Sequence, residues 1–316
     1  MIIYLLLLLS LAPSFSHGVN FDPFTDKTKI TYHGGPILTG QVNLMLIWYG
    51  DDNDNVVKNL IRNFIKSLNK KRKSSTDKGL PQVATWWKMV ESYQSLVPGA
   101  KRGGEPPKIK VVAEKQKSTS PKYGKVLTTQ IIIPNLIESV THGDPKLIPV
   151  IVPAKDVTVQ GLCAGKCADK GIVENGTAYI VVGNPETECP EACGWPFVEA
   201  DSGPKGPVLK PPNGHIAGDA MVAAFAGALV DTVLSPQNSG FFGGNEFEPI
   251  GPATVCRGIY GEAAAPGDPG KVLYDPKKGG NYNAVGKEGK KFLIPAIWNP
   301  ETKSCWTPMM KGGPAV

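Results

Sequence analysis

The feature that most constrains the fold is the segment 216–234, the longest apolar helical segment of the chain. Its composition is dominated by alanine and glycine, whose small side chains let neighbouring elements approach closely. The segment therefore predicts a buried helix in the centre of the fold, and the other elements must pack around it.

The remaining segments predict alternating strands and helices. Short apolar runs bounded by Gly, Pro, Asn or Asp predict strands at residues 41–50, 108–113, 147–152 and 177–182. Apolar positions at helical spacing predict helices over 56–68, after Pro81 and over 128–140. Asp54 is the expected cap of the first, and Pro134 is unfavourable inside the third. The fold class is therefore α/β (α+β), a mixed sheet with packed helices.

The region after Pro236 lacks a helical pattern and is rich in Gly and Pro, so we expect a loop-rich tail that disulfides hold in place. The six cysteines all lie in the second half of the chain, and their even number predicts three disulfides: Cys163, Cys167, Cys189, Cys193, Cys256 and Cys305. We expect Cys256 to pair with Cys305 and the two C-x3-C segments to be bridged among themselves. Zinc is the weaker interpretation, because thiols oxidise outside the cell.

The N-terminus predicts export. Residues 1–12 form an apolar run too short for a permanent membrane helix, and small residues follow it at 13–17. We therefore expect a signal peptide at 1–16 and one domain at 17–316, secreted and without a later membrane span. Asn175 begins the sequon Asn-Gly-Thr in a predicted turn, which favours glycosylation of an exposed site.

The net charge of +6 is distributed unevenly. Residues 55–125 contain 17 Lys and Arg against 4 Asp and Glu, with the densest run at Lys70, Lys71, Arg72 and Lys73. Such a surface attracts polyanions, which for an exported protein are acidic polysaccharides or lipid head groups and not nucleic acid. The alternative is a solvated face that keeps the protein soluble.

Few residues are suited to catalysis. The chain has no G-x-S-x-G elbow, no Walker loop and no dinucleotide-binding glycine motif. His33, His215 and Asp219 are the only cluster that we nominate, and His215 and Asp219 lie one helical turn apart, as two metal ligands would. The alternative is a helix N-terminus, where Asn213 is the cap and Asp219 favours the dipole. We expect no cofactor and no bound metal.

Several motifs together resemble the plant phosphate-induced family, also called the EXORDIUM family. They are YHGGP at 32–36, LIWYG at 46–50, WW at 86–87, VVGN at 181–184, CPEACGWPF at 189–197, PNG at 212–214, GKVL at 270–273, YN at 282–283 and KFLIPA at 291–296. The resemblance implies an apoplastic or cell-wall protein associated with brassinosteroid-responsive growth and cell expansion.

Some relatives in this family resemble zincin-type metallopeptidases, which implies a zincin-like core. Their His-Glu-x-x-Glu ligands fall on Gly227, Ala228 and Asp231 here, and a loop Asp falls near Thr254. Glycine and alanine cannot hold a metal, so His215, Asp219 and Asp231 are left as a candidate degenerate site. We expect a non-catalytic protein that binds acidic wall polysaccharide or a cell-surface receptor, the alternative being a metal-dependent hydrolase with an unrecognised site.

Overall fold

The computed structural model describes residues 29–52, 54–70, 79–100, 104–163, 165–200 and 203–314. The predicted signal peptide at 1–16 lies outside the described residues, as do Lys71, Arg72 and Lys73 of the basic run. Export therefore stays a prediction.

A five-stranded mixed sheet forms the centre of the fold. Its strands are β2 (Gln41–Tyr49), β3 (Lys110–Thr119), β5 (Leu147–Pro153), β7 (Ala168–Ile172) and β8 (Ala178–Val182), after a two-residue β1 (Thr31–Tyr32). They lie in the order β3-β2-β5-β8-β7, in which only β7 runs antiparallel to its neighbour. β2 is apolar along most of its length because both of its faces are covered, as is usual for a central parallel strand.

The described residues form five α-helices: α1 (Asn55–Leu68), α2 (Val83–Ser92), α3 (Ile132–Thr141), α4 (Pro190–Gly194) and α5 (Ile216–Leu234). Four of them cover the faces of the sheet, and the short α4 packs against α5. Leu44, Leu46 and Trp48 of β2 point to the face that α1, α2 and α5 cover. Met45, Ile47 and Tyr49 alternate with them and point to the face that α3 covers. The predicted mixed α/β fold is confirmed.

One predicted helix start is confirmed, and another is wrong for a clear reason. Asp54 caps α1 as expected, since its Oδ1 accepts a hydrogen bond from Val56 N at 2.7 Å. α3 begins at Ile132 and not at residue 128. Pro134 then lies in the first turn, where a backbone N–H has no partner within the helix, so the proline removes no helical hydrogen bond.

The region after Pro236 is more ordered than the prediction of a loop-rich tail. It forms short antiparallel strands: β9 (Phe241–Gly244), β10 (Pro249–Ile250), β11 (Leu273–Asp275), β12 (Gly280–Tyr282), β13 (Ala284–Val285), β14 (Lys291–Phe292), β15 (Ile297–Asn299) and β16 (Ser304–Trp306). Two further strands, β4 (Val126–Leu127) and β6 (Thr158–Val159), pair with each other in the first half. Phe292, Ile294 and Ile297 of the tail are buried in the same core as α1 and α5. Apolar packing therefore holds the tail as well as its disulfide.

The three disulfides follow the predicted pattern. Cys256 is joined to Cys305 across 49 residues. Cys163 is joined to Cys189 and Cys167 to Cys193, so that two bridges tie the segment before β7 to the segment around α4. This double link places α4 and the loop after it beside the sheet edge formed by β7.

α5 runs from Ile216 to Leu234, as the sequence predicts, and most of its residues are buried. α5 is long enough and apolar enough to cross a membrane, although we expected no such segment after the signal peptide. However, 78% of an 18-residue stretch of α5 is buried inside the fold, which is typical of the core helix of a globular protein.

Candidate functional site

One side of α5 carries only small residues until its last turn. Ala220, Ala223, Ala224, Gly227 and Ala228 follow one another at spacings of three and one, so they share a face, and Asp231 continues it. Ala224, Gly227 and Ala228 are only half-buried although they lie in the middle of a core helix. No neighbouring element packs closely against these small side chains, and a cavity borders this face of α5.

The cavity has a volume of about 360 Å³ and three walls. The first is the small-residue face of α5. The second is the edge strand β7 together with the disulfide-linked segment that ends at Trp195, and the third is the segment from Pro249 to Tyr260. A cavity of this size is at the lower end of the range for small-molecule sites, about 300–1,000 Å³.

Asp231 lines the cavity, but its carboxylate is engaged by the third wall. Its Oδ1 accepts from Ala253 N at 2.7 Å, and its Oδ2 accepts from Thr254 N at 3.1 Å and Thr254 Oγ1 at 2.6 Å. Burial raises the pKa of this carboxyl, and these hydrogen bonds oppose the rise. Gly251 permits the contact, because a Cβ there would lie 2.1 Å from Asp231 Cγ. Asp231 thus acts as a clamp between α5 and the loop.

Lys170 enters the cavity from the edge strand β7. Its Nζ donates to the main-chain oxygens of Asp231 and Ser235, at the C-terminal end of α5, where the helix dipole favours a cation. Burial lowers the pKa of this amine to about 8, so Lys170 is still charged at neutral pH.

Arg257, Trp195 and Tyr260 complete the polar and aromatic lining. The Arg257 guanidinium donates through Nη1 to the main-chain oxygen of Gly165. The rings of Trp195 and Tyr260 lie with their centroids 5.9 Å apart. Burial raises the pKa of Tyr260 to about 12, so its hydroxyl keeps its proton under ordinary conditions.

The nominated residues His215, Asp219 and Asp231 do not form one site. Asp231 lies on the cavity, whereas His215 and Asp219 lie at the other end of α5, and Asp219 and Asp231 are about 18 Å apart along the helix axis. Asn213 is not the cap, because His215 occupies that position and its Nδ1 accepts from Gly218 N at 2.9 Å. Asn213 instead donates to both carboxylate oxygens of Asp219.

His215 meets two carboxylates that the sequence did not suggest. Its Nε2 lies 2.8 Å from Asp54 Oδ2, and Glu186 brings a third potential ligand atom within 4.8 Å of the other two. This grouping does not fit a metal ion well. Because Nδ1 accepts a hydrogen bond from Gly218, the proton of a neutral imidazole is on Nε2, the atom that would have to bind the metal. Asp54 caps α1 and His215 caps α5, and the hydrogen bond between their side chains ties the start of α1 to the start of α5.

His33 lies apart from this group. Its ring stacks on Phe242 at 3.6 Å between centroids, and its Nε2 lies 3.2 Å from the main-chain oxygen of Phe242. The grouping of potential metal ligands within the described ranges contains His215 but neither His33 nor Asp219. The nominated catalytic cluster is therefore not assembled.

The other predicted sites lie away from the cavity. Lys70 Nζ donates to the main-chain oxygen of Gly286, so it is engaged by the fold, and the rest of the run is outside the described residues. Exposed Lys115 and Lys117 lie on β3, the sheet edge opposite β7 and about 19 Å from it by strand spacing. Asn175 is exposed in the turn between β7 and β8, a position that suits a glycosylation site.

Sequence reasoning missed the cations of the cavity, Lys170 and Arg257. β7 reads Ala-Asp-Lys-Gly-Ile, which lacks the β-branched alternation that predicts a strand, so nothing placed Lys170 at a sheet edge. Arg257 follows Cys256 in a loop without a motif. The available signal was the spacing of small residues along α5, which we interpreted as close packing and not as the wall of a cavity.

The fold and site define an α/β protein with a cavity against its central helix, whose helical wall offers neither an imidazole nor a free carboxylate. Comparison with known proteins places it more closely. Residues 30–308 match the model of the phosphate-induced protein 1 conserved region. The chain belongs to this family.

Curated relatives align along most of their length. EXORDIUM-like 2 from Arabidopsis thaliana is 36% identical, with 87% of this chain and 88% of that protein covered. EXORDIUM from Arabidopsis thaliana is 35% identical, with 88% of each chain covered. PHOSPHATE-INDUCED 1 from Nicotiana tabacum is 34% identical, with 89% of each covered. No solved structure matches the chain, so the zincin-like core stays a prediction of the family resemblance.

Proposed function

We propose that this protein is a secreted, non-catalytic binding protein of the plant cell wall that takes part in brassinosteroid-linked regulation of growth and cell expansion. Membership of the phosphate-induced family supports the setting. The predicted signal peptide and three disulfides support an oxidising extracellular location.

One observation carries the non-catalytic part. Gly227 and Ala228 lie on the cavity wall, at the positions where zincin-type relatives would place ligands, and they offer no atom that binds a metal or transfers a proton. Asp231 is present, but both of its oxygens accept hydrogen bonds from the 253–254 loop. The cavity therefore has the volume and charge of a binding site without the groups of a hydrolase.

The binding part is tested with the purified secreted protein and insoluble plant cell-wall material. We expect retention on the wall fraction at about 0.15 M salt, where contacts between exposed charges are largely screened beyond about 8 Å. Two variants separate the surfaces. K115Q/K117Q removes charge from β3, and R257Q removes charge from the cavity. Loss of retention in R257Q alone assigns the wall contact to the cavity, and failure of the unmodified protein to bind any wall fraction contradicts the proposal.

The metal-dependent hydrolase alternative is tested on the same protein by metal analysis. Stoichiometric zinc in protein purified without added metal, together with loss of that zinc in D231N or H215A, would establish the hydrolase class instead. We expect less than a tenth of an equivalent of zinc, and no hydrolysis of peptide or polysaccharide substrates.

A further inference from the structure

This inference rests on the proposed binding function and starts from the charges of the cavity. Two of its cations, Lys170 and Arg257, have no carboxylate oxygen within 4 Å in the part of the chain that the structure describes. Every hydrogen bond that these two side chains make there goes to a main-chain oxygen: Lys170 Nζ to Asp231 and Ser235, and Arg257 Nη1 to Gly165. Both side chains line the cavity, Lys170 half-buried within it and Arg257 at a position that stays exposed to solvent, so both can be reached by a ligand that enters.

Asp231 and Asp169 attract these two cations, but they make their hydrogen bonds and their ion pair with groups other than the two side-chain cations. Asp231 accepts three hydrogen bonds from Ala253 and Thr254. Asp169 pairs with Lys166 at 2.9 Å and accepts from Lys170 N. An arginine side chain has five N–H donors, and only one of those of Arg257 donates to a residue that the structure describes. The cavity therefore presents positive charge and free N–H donors to whatever enters it.

Its uncharged polar side chains are donors too. The Tyr260 hydroxyl and the Trp195 indole N–H make no hydrogen bond to any described residue, although both residues line the cavity. The remaining lining is largely alanine, glycine and the two aromatic rings. The matching ligand is rich in acceptors, carries negative charge and has a compact body with an apolar side.

We infer that the cavity binds a sugar acid, with the carboxylate held by Arg257 and Lys170 and the sugar ring packed against Trp195 and the small-residue face of α5. A carboxylate matches the planar fork of a guanidinium. Sugar hydroxyls supply acceptors for Tyr260 and Trp195, and a volume of about 360 Å³ suits one or two sugar rings. This site lies at the sheet edge opposite the exposed lysines of β3 and does not depend on them.

The test is calorimetric titration of the full secreted protein with galacturonate, with galactose as the neutral match and inorganic phosphate as a plain anion. We expect galacturonate to bind at least tenfold more tightly than galactose or phosphate. R257Q should weaken galacturonate binding about tenfold to a hundredfold, because a charged hydrogen-bonded contact is lost. A224L fills the cavity and keeps every charge, so it should weaken binding by a similar factor. K117Q, on the far edge, should change it less than twofold.

Each result decides the matter. Equal binding of galactose and galacturonate, equal binding of phosphate, or unchanged affinity in a folded R257Q and A224L overturns the inference. Absence of galacturonate binding in a protein that is still retained by cell-wall material overturns the inference and leaves the proposed function intact. A protein that binds neither galacturonate nor wall material contradicts both.

Discussion

Asp219 shows how one carboxylate at a helix start is explained by its donors. It is 3% exposed, and Asn213 donates to it twice, from N at 2.9 Å and from Nδ2 at 2.7 Å. Asn213 Nδ2 also donates to the main-chain oxygen of Lys291. Asp219 therefore ties the loop before α5 to the C-terminal region, and it needs no metal to account for its burial.

This assignment predicts the effect of Asp219→Asn. An amide has a single acceptor oxygen, so its NH₂ group would face one of the two Asn213 donors. We expect the free energy of unfolding to fall by about 1–3 kcal/mol, measured by urea denaturation. Glu174→Gln, at an exposed position, is the control and should change it by less than about 0.5 kcal/mol. Unchanged stability in the Asp219 variant would contradict the structural role.

At the scale of elements, alanine substitutions of two glycines on opposite sides of the cavity should change the free energy of unfolding in opposite directions. A Cβ at Gly227 in α5 would lie 3.7 Å from Pro295 Cγ, an ordinary contact, whereas a Cβ at Gly251 would meet the Asp231 carboxyl at 2.1 Å. We expect Gly227→Ala to raise the free energy of unfolding by about 0.5–1 kcal/mol, because alanine favours a helix. Gly251→Ala should lower it by about 1–3 kcal/mol through overpacking.

The two variants are measured side by side by thermal and urea unfolding, and each is the control for the other. Both changes add one methyl group at the same cavity, so a common shift in one direction would contradict the distinction. In particular, destabilisation by Gly227→Ala would mean that the face of α5 is packed against a neighbour and does not border a cavity.

The elements were predictable where the local pattern and the packing agree. α5 has the predicted bounds because its apolar composition and its burial point to the same structure. β7 was not predictable, since its residues have poor strand propensity and pairing with β8 places it. The short strands after Pro236 were missed for the same reason: two- or three-residue ladders are set by tertiary contacts and leave no periodicity.

The candidate site was less predictable than the fold. Asp231 could be nominated because the family resemblance aligns it with a ligand of zincin-type relatives. Lys170, Trp195 and Arg257 come from three segments: two disulfides join the first two, and the hydrogen bonds of Asp231 to Ala253 and Thr254 hold the third against α5. No residue spacing in the sequence indicates that these three segments lie together, so the charge of the cavity is seen only in the structure.

At the scale of the whole molecule, the buried carboxyls predict how stability depends on pH. Four of them, Glu91, Glu188, Asp219 and Asp231, are less than 8% exposed, and burial raises the pKa of each, that of Asp219 from 3.8 to about 6. Backbone or asparagine N–H groups are their main partners, and in the described ranges none forms an ion pair. The folded state therefore holds these protons more firmly than the unfolded chain does.

The sign of the effect follows from this difference. A group with a raised pKa stabilises the fold fully below its ordinary value and loses that contribution as the pH rises through its folded value, for Asp219 between about pH 4 and 6. The carboxyl of Asp275 has a lowered pKa beside Lys291, so its own contribution is lost only below pH 4. We expect the protein to be more stable at pH 5 than at pH 7.5, by about 1–3 kcal/mol.

Urea denaturation at the two pH values measures this, and Asp219→Asn should flatten the dependence because it removes one of the four groups. A protein that is less stable at pH 5 than at pH 7.5 would contradict the account of these carboxyls.

A crystal structure of the full secreted protein with galacturonate would show whether the cavity against α5 is the ligand site. We expect density for the sugar acid inside the cavity, with its carboxylate within hydrogen-bond distance of Arg257 and its ring beside Trp195. Galacturonate bound only on the lysines of β3, or an empty cavity in crystals of a protein that binds galacturonate in solution, would contradict it.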